Sequence, residues 1–167
     1  MPQPTPKQIF GYIYAILHAP IYRTRYVEFL RGDFPRIPLC TTREDFCALA
    51  ALGWELAQKH LLKDVPPLIA TYRGNGGNAV EKPRYAAAEQ AVYINATQFF
   101  APVPEAVWGF HIGGYQVIDK YLKSRKGRTL NLDEINNVEN VVAVLTFAIT
   151  QMRAIDADYL VAFPGHG

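Results

Sequence analysis

The chain has 167 residues, 50% of them hydrophobic and 19% charged, and Lys+Arg 17 against Asp+Glu 15 leaves a formal net charge of +2. One domain of that length can bury a core without disulfides or metal. The balance excludes a strongly polybasic protein but not a local basic patch, and the aromatic content of 13% argues against disorder. Cys40 and Cys47 form neither a CxxC pair nor a zinc quartet and are expected to be reduced thiols, at least one of them buried. No uninterrupted apolar run has spanning length, so no membrane segment is expected, and residues 1–6 lack the character of a signal peptide. Their alternation of proline with polar residues reads as a linker remnant, and a cytoplasmic setting is the expectation.

The first helix is punctuated by Thr5 as N-cap, Pro6 at the first helical position and Gln8 as capping-box partner, with Pro20 stopping it near Ala19. A second helix is expected over about 22–30, capped by Gly32. Arg23 and Arg25 would then lie near its start, against the helix dipole, which either chance or an anionic partner explains. Residues 33–38 read as extended. Thr41 and Glu44 then make a capping box for a helix to about Leu61, with Phe46, Leu49, Leu52, Gly53 and Leu56 on its buried face.

Beyond Pro66 and Pro67 the pattern changes to short strands: 68–72, a glycine-rich turn at 74–78, a return strand at 79–85, and a third at 91–95. Pro104 opens a short helix carrying Val107, Trp108 and Phe110 and ending at Gly113 and Gly114, and a helix over 115–123 follows. Asn131 and Glu134 cap the longest helix, whose stripe of Leu132, Ile135, Val138, Val142, Leu145, Ile149, Met152 and Ile155 carries it to about Asp156. Residues 158–167 read as a flexible tail. The expected fold class is α+β, mostly helical with a small antiparallel β-meander inserted in the middle.

Catalytic chemistry is missing from the sequence. There is no GxGxxG after a strand and no phosphate-binding P-loop, and Gly74 to Asn78 lies between strands rather than before a helix. His18, His60, His111 and His166 fall on separate segments without metal-ligand spacing, and the one serine, Ser124, lacks a nucleophile-elbow context. Neither a catalytic nor a metal site is expected.

The outstanding feature is Lys120-Tyr-Leu-Lys-Ser-Arg-Lys-Gly-Arg128, with five cations and no acid. Cations at a helix C-terminus are favourable by themselves. Lys120, Lys123, Arg125, Lys126 and Arg128 also suit a strip that grips backbone phosphates, which Arg23, Arg25 and Arg36 would extend if the fold brings them near.

These residues carry a resemblance. The stretch Phe10-Gly-Tyr-Ile-Tyr-Ala-Ile-Leu-His-Ala-Pro-Ile-Tyr-Arg23, then Asp33-Phe-Pro-Arg-Ile-Pro38, His60-Leu-Leu62 and Val92-Tyr-Ile-Asn95, is similar to the C-terminal specificity domain of type ISP restriction-modification enzymes and related adenine-specific DNA methyltransferases. Its most specific block is Val107-Trp108, Ile112-Gly-Gly-Tyr-Gln-Val117, Lys120-Tyr-Leu-Lys123 and Arg125-Lys-Gly-Arg128. The resemblance spans about residues 7–157. Tyr121 departs from it where tryptophan is usual, and Ser124 where aspartate is common.

The resemblance implies a bacterial target-recognition module that binds duplex DNA by phosphate clamping and groove readout. It would work with an adenine-N6 methyltransferase domain, in cis or as a subunit. S-adenosylmethionine would bind that other domain, so no cofactor and no enzymatic activity are expected of this chain alone. Base-reading candidates in this context are Arg73, Asn75, Asn78, Lys82, Arg84, Gln98 and Gln116, with Tyr115 in a packing role. The alternative is a helical protein-interaction module that docks onto a methyltransferase or other subunit without touching bases. A free-standing hydrolase would need paired titratable groups that the sequence does not offer.

Overall fold

The computed structural model describes residues 3–166 and resolves into two compact units. One comprises the chain up to Asp64 together with the residues from Ala148 onward, and the other comprises Val65–Phe147. The single domain expected from length is thus built as two bodies, joined by two chain crossings. The α+β class holds, with the strands confined to the second unit.

In the first unit, α1 (Pro6–His18) begins with the full capping box of Thr5 and Gln8. Ala19 ends α1 and also precedes α2 (Pro20–Arg25), because Pro20 suits the first position of a helix as well as it ends the previous one. The helix expected over 22–30 is therefore two short ones, α2 and α3 (Val27–Gly32), broken at Tyr26. Gly32 is the last helical residue of α3 and Asp33 its cap. Arg23 and Arg25 lie in the last turn of α2, where their charge favours the dipole, so the argument for an anionic partner from helix position falls. The cap of α4 (Arg43–His60) is Thr42, whose hydroxyl accepts from the Asp45 N–H, one residue beyond the expected pair.

Helices α1 and α4 cross at two glycines. A Cβ on Gly53 would lie 1.9 Å from the Gly11 carbonyl oxygen, and one on Gly11 would lie 2.2 Å from the Ala50 oxygen. That backbone-to-backbone approach lets Tyr12, Ala15, Ile16, Leu49 and Leu56 close into one core with Ile155 and Tyr159. The Asp156 carboxylate accepts from the Ile21 N–H at 3.0 Å, satisfying a donor in the first turn of α2. Cys40 and Cys47 are free and half-buried.

The long helix α7 (Leu132–Ala162) starts with the expected Asn131–Glu134 box. It continues past Asp156, since Tyr159 and Ala162 are buried in the first unit, so residues 158–162 are packed helix rather than tail. The stripe also begins later than expected, because Leu132 is exposed. By length and composition α7 could cross a bilayer, contrary to the sequence expectation, yet its buried positions are filled by the protein's own core.

In the second unit the sheet order is β1-β4-β3-β2, all antiparallel, from β1 (Thr71–Arg73), β2 (Arg84–Ala86), β3 (Ala91–Tyr93) and β4 (Phe99–Ala101). The meander differs from expectation because β4, a three-residue strand ahead of Pro102, inserts between β1 and β3. The turn at 74–78 consequently joins no hairpin. Instead Ala79 bridges Thr129, with Val80 N–H donating to the Arg128 carbonyl at 2.9 Å and Leu130 N–H to that of Asn78 at 2.9 Å. The helix opened by Pro104 is only α5 (Glu105–Trp108). Beyond it β5 (His111–Ile112) and β6 (Tyr115–Gln116) form a hairpin whose turn is Gly113-Gly114, and α6 (Val117–Lys123) starts two residues later than expected.

The packing of the first unit sets its response to mutation and to acid. Gly53→Ala forces α1 and α4 apart and should lower the thermal midpoint, read by circular dichroism, by roughly 5–10 °C. Stability should also fall in acid through His60. The Tyr14 hydroxyl meets its Nδ1 at 2.7 Å, its buried Nε2 has no hydrogen-bond partner among the described residues, and burial with the nearby His18 ring lowers its pKa from 6.5 to about 4. The unfolded chain takes up that proton first, so the contribution is complete above pH 6.5 and lost as pH falls toward 4. Denaturant melts of His60→Gln should show a shallower loss over that window.

Candidate nucleic-acid interface

The basic strip occupies α6 and the loop that follows it. Lys120 and Lys123 fall in the last turn of α6. Lys123 Nζ pairs with Asp119 at 2.7 Å along one helix face, and Lys120 Nζ stands 4.7 Å from the centre of the Tyr115 ring. Lys126 is exposed in the loop, and Gly127 turns the chain with a φ of +80°. The Ser124 hydroxyl donates to the Tyr121 carbonyl, as part of the turn.

Arg125 is different from its neighbours. Its side chain is 21% exposed, its guanidinium lies 3.5 Å from the centre of the Tyr121 ring, and its Nε donates to Glu134 Oε1 at 2.9 Å. The same Glu134 oxygen accepts from Arg128 Nη2 at 3.3 Å, while the other accepts from Asn131 N–H. The Asn131 backbone donor, followed by the two guanidinium groups, holds the Glu134 carboxyl below its ordinary pKa. Arg125 is thus a structural member of the strip. Lys120 and Lys126 are exposed, and Lys123 and Arg128 are mostly exposed although each also meets a carboxylate, Asp119 and Glu134 respectively.

The ladder between 78–80 and 127–130 brings the glycine-rich loop beside the end of this strip, which the sequence did not reveal. Arg73, at the end of β1, and Asn75, within that loop, are exposed. Gln98, expected as a base reader, is only 2% exposed and spends its amide on the scaffold. Its Oε1 accepts from the Asn78 N–H at 2.9 Å and from Asn95 Nδ2 at 3.0 Å, and its Nε2 donates to Asn78 Oδ1. Asn78 is engaged further by the Tyr72 hydroxyl. Gln116 donates to the Trp108 carbonyl. These three amides, Gln98 buried and Asn78 and Gln116 half-buried, set the shape of the loops through the bonds they make.

Lys82 and Arg84 are exposed beside and on β2, with the Arg84 guanidinium 3.9 Å from the centre of the Tyr93 ring. Arg23, Arg25 and Arg36 are exposed residues of the first unit, and Arg36 meets Asp33 only at 3.9 Å. Tyr115, expected to pack, is 62% exposed at the tip of the β5–β6 hairpin, opposite Ile112 at 58%. Reading 115 as the start of a helix conceals this, although the Gly-Gly pair is itself a hairpin signal. His18 and His60 come together, with ring centres 5.4 Å apart, but among the described residues no three metal-ligating side chains gather.

In this mixed α+β fold a cationic loop segment thus stands beside exposed polar loops. The chain belongs to the Type ISP C-terminal specificity domain family, whose model matches residues 2–153. Among solved structures it is similar to the DrdV–DNA complex, with 26% identity and a TM-score of 0.68 over 93% of this chain. It is similar in fold to a nuclease-deletion mutant of the Type ISP restriction-modification enzyme LlaGI in complex with a DNA substrate mimic, at 20% identity over 90% of the chain and a TM-score of 0.69. The ATP-dependent Type ISP enzyme LlaBIII bound to DNA shares the fold at 18% identity over 94% of the chain, with a TM-score of 0.65. The chain spans only 18%, 16% and 11% of those three chains, respectively. Comparison with curated proteins gave no match.

The unequal burial of the cations separates their roles. Arg125→Ala should lower the thermal midpoint by several degrees, because it removes the closer of Glu134's two guanidinium partners and uncovers the Tyr121 face, whereas Lys126→Ala should leave it within about 1 °C. Paired thermal melts distinguish the two.

Proposed function

We propose that this chain recognises duplex DNA for a restriction-modification enzyme. The observation that carries the reading is the set of exposed cations Lys120, Lys123, Lys126 and Arg128 on one short segment, tied by a backbone ladder to the loop that holds Asn75 and follows Arg73. Cations so placed neutralise successive phosphates and fix the register of the module on the helix. The long polar side chains of Arg73, Asn75, Lys82 and Arg84 then face the grooves, where arginine suits guanine and asparagine suits adenine. The DNA present in the structures of similar enzymes supports this reading.

Methyl transfer would belong to an adenine-N6 methyltransferase domain, in cis or as a subunit, which would bind S-adenosylmethionine. This chain would add recognition and no catalytic group, within the bacterial cytoplasm. A protein-docking role is favoured for part of the first unit, where Phe29, Phe34 and Leu39 are exposed together with the extended segment after α3. Such a face suits contact with the methyltransferase and is compatible with DNA binding elsewhere.

Fluorescence anisotropy with a labelled mixed-sequence duplex over a salt series tests the reading. The full chain should bind with a steep dependence on salt. Replacing Lys120, Lys123, Lys126 and Arg128 together by alanine should weaken binding to all sequences and flatten the slope by about 0.9 for each phosphate that is no longer neutralised. Superimposable isotherms would show that the strip grips no phosphate.

A further inference from the structure

The β5–β6 hairpin is built as a probe whose outer face is mostly exposed. His111 pairs with Gln116 and Ile112 with Tyr115 across the ribbon. Successive residues of a strand point to opposite faces, so these two pairs face opposite ways. The His111–Gln116 pair is the anchor. His111 Nδ1 meets the Gly109 carbonyl at 2.7 Å, Gln116 donates to the Trp108 carbonyl, and Val117 N–H donates to the Phe110 carbonyl at 3.1 Å. The Ile112–Tyr115 pair is the free face, and both side chains are mostly exposed. Two large apolar side chains held in water on a fixed ribbon gain nothing for folding.

The tip is slim as well as fixed. Gly113 takes a φ of +60°, and Cβ atoms built on Gly113 or Gly114 would meet no heavy atom within 4 Å. The turn therefore projects into open space. Its flank carries a cation: the Lys120 ammonium sits over the Tyr115 ring at 4.7 Å, while Lys123, one helical turn further along, is paired with Asp119. An apolar tip with an ammonium at its shoulder complements a polyanion that exposes apolar groups within its groove, as DNA does at the thymine C5-methyl groups.

We propose that the β5–β6 hairpin enters the major groove of the duplex and packs Ile112 and Tyr115 against the C5 edges of pyrimidines, thymine methyl groups above all, while Lys120 holds the adjoining phosphate. This inference rests on the DNA-recognition reading given above. The dimensions select the groove. Paired strands lie about 5 Å apart before side chains are added. A major groove about 12 Å wide accepts such a ribbon, whereas a minor groove of about 6 Å does not. Packing on the thymine methyl is the usual part an apolar side chain plays in that groove.

The test uses the full chain, a salt series, and two mixed-sequence duplex pools identical except that one carries uracil in place of thymine. Ile112→Ser/Tyr115→Ser should bind the thymine pool roughly tenfold more weakly at every salt concentration, with an unchanged slope, because every counterion-releasing cation stays in place. The parent should prefer the thymine pool, and the double variant should lose that preference. Gly114→Glu, at a turn position outside the left-handed region, adds a carboxylate to the tip without touching the core and should also weaken binding. Melting curves matching the parent's would show both variants folded. Equal binding by parent and double variant, or a parent indifferent to the thymine methyl, would overturn the hairpin proposal while leaving DNA recognition intact. Failure of the parent to bind either pool at any salt would overturn both.

Discussion

The second unit is organised around one carboxylate. Glu134 completes the capping box of α7, accepts from Arg125 and Arg128, and so joins the start of the longest helix to the end of the basic strip. Without it, two guanidinium groups on a short glycine-containing loop would repel each other and leave the loop without a fixed course. With it, the carbonyl of Arg128 is held where Val80 can pair with it, and the polar loop at 74–78 gains a neighbour. An acid that lowers the charge of the strip thereby makes the strip usable. Fixed cations lose less entropy on meeting phosphates than mobile ones do.

That exchange alters the meaning of the net charge of +2. The acids of α7 lie just beyond the basic run in sequence, which suggests a surface divided into positive and negative halves. Instead Glu134 folds back onto the arginines, and Glu139 accepts the Tyr72 N–H at 2.7 Å, fixing β1 to the helix. Both of these acids serve the scaffold. What solvent meets on this segment is mainly lysine charge, together with Arg128.

The sequence made the helices legible where a side chain caps them or a proline starts them, as at Thr5, Pro6 and Asn131, for these signals act within one turn. It misled where two local readings competed. Pro20 is both a stop and a start, and Tyr26 carries no breaker residue, so one helix was expected where two exist. Strand order was illegible for a physical reason. A three-residue strand such as β4 has little periodicity of its own, and its partners are chosen by the segment at 127–130, which captures residues 78–80 from the expected hairpin. The same capture explains the site. Arg73, Asn75, Lys82 and Arg84 were recognisable as exposed polar residues, but Gln98 and Asn78 look identical to them in sequence. Only the fold shows that their amides are consumed.

The amides that turned inward and the apolar pair that turned outward arise from one constraint. A glycine-rich loop has too few side chains to hold its own shape, so the hydrogen bonds that fix it come from neighbouring amides, and Gln98 serves 74–78 as Gln116 serves the β5–β6 hairpin. Each glutamine removes itself from any role in reading bases and in return presents a rigid edge to solvent. At 74–78 that edge carries polar side chains, suited to hydrogen-bonding groups. At the hairpin it carries Ile112 and Tyr115, suited to methyl groups and base edges. A module so built separates the tasks by residue type: lysines set position, polar loops and the apolar tip sample sequence, and the buried Gln98 and half-buried Gln116 hold both in place. Specificity can then change by substitution at the exposed edges while the glutamines stay, because the side chains at those edges face solvent rather than the core.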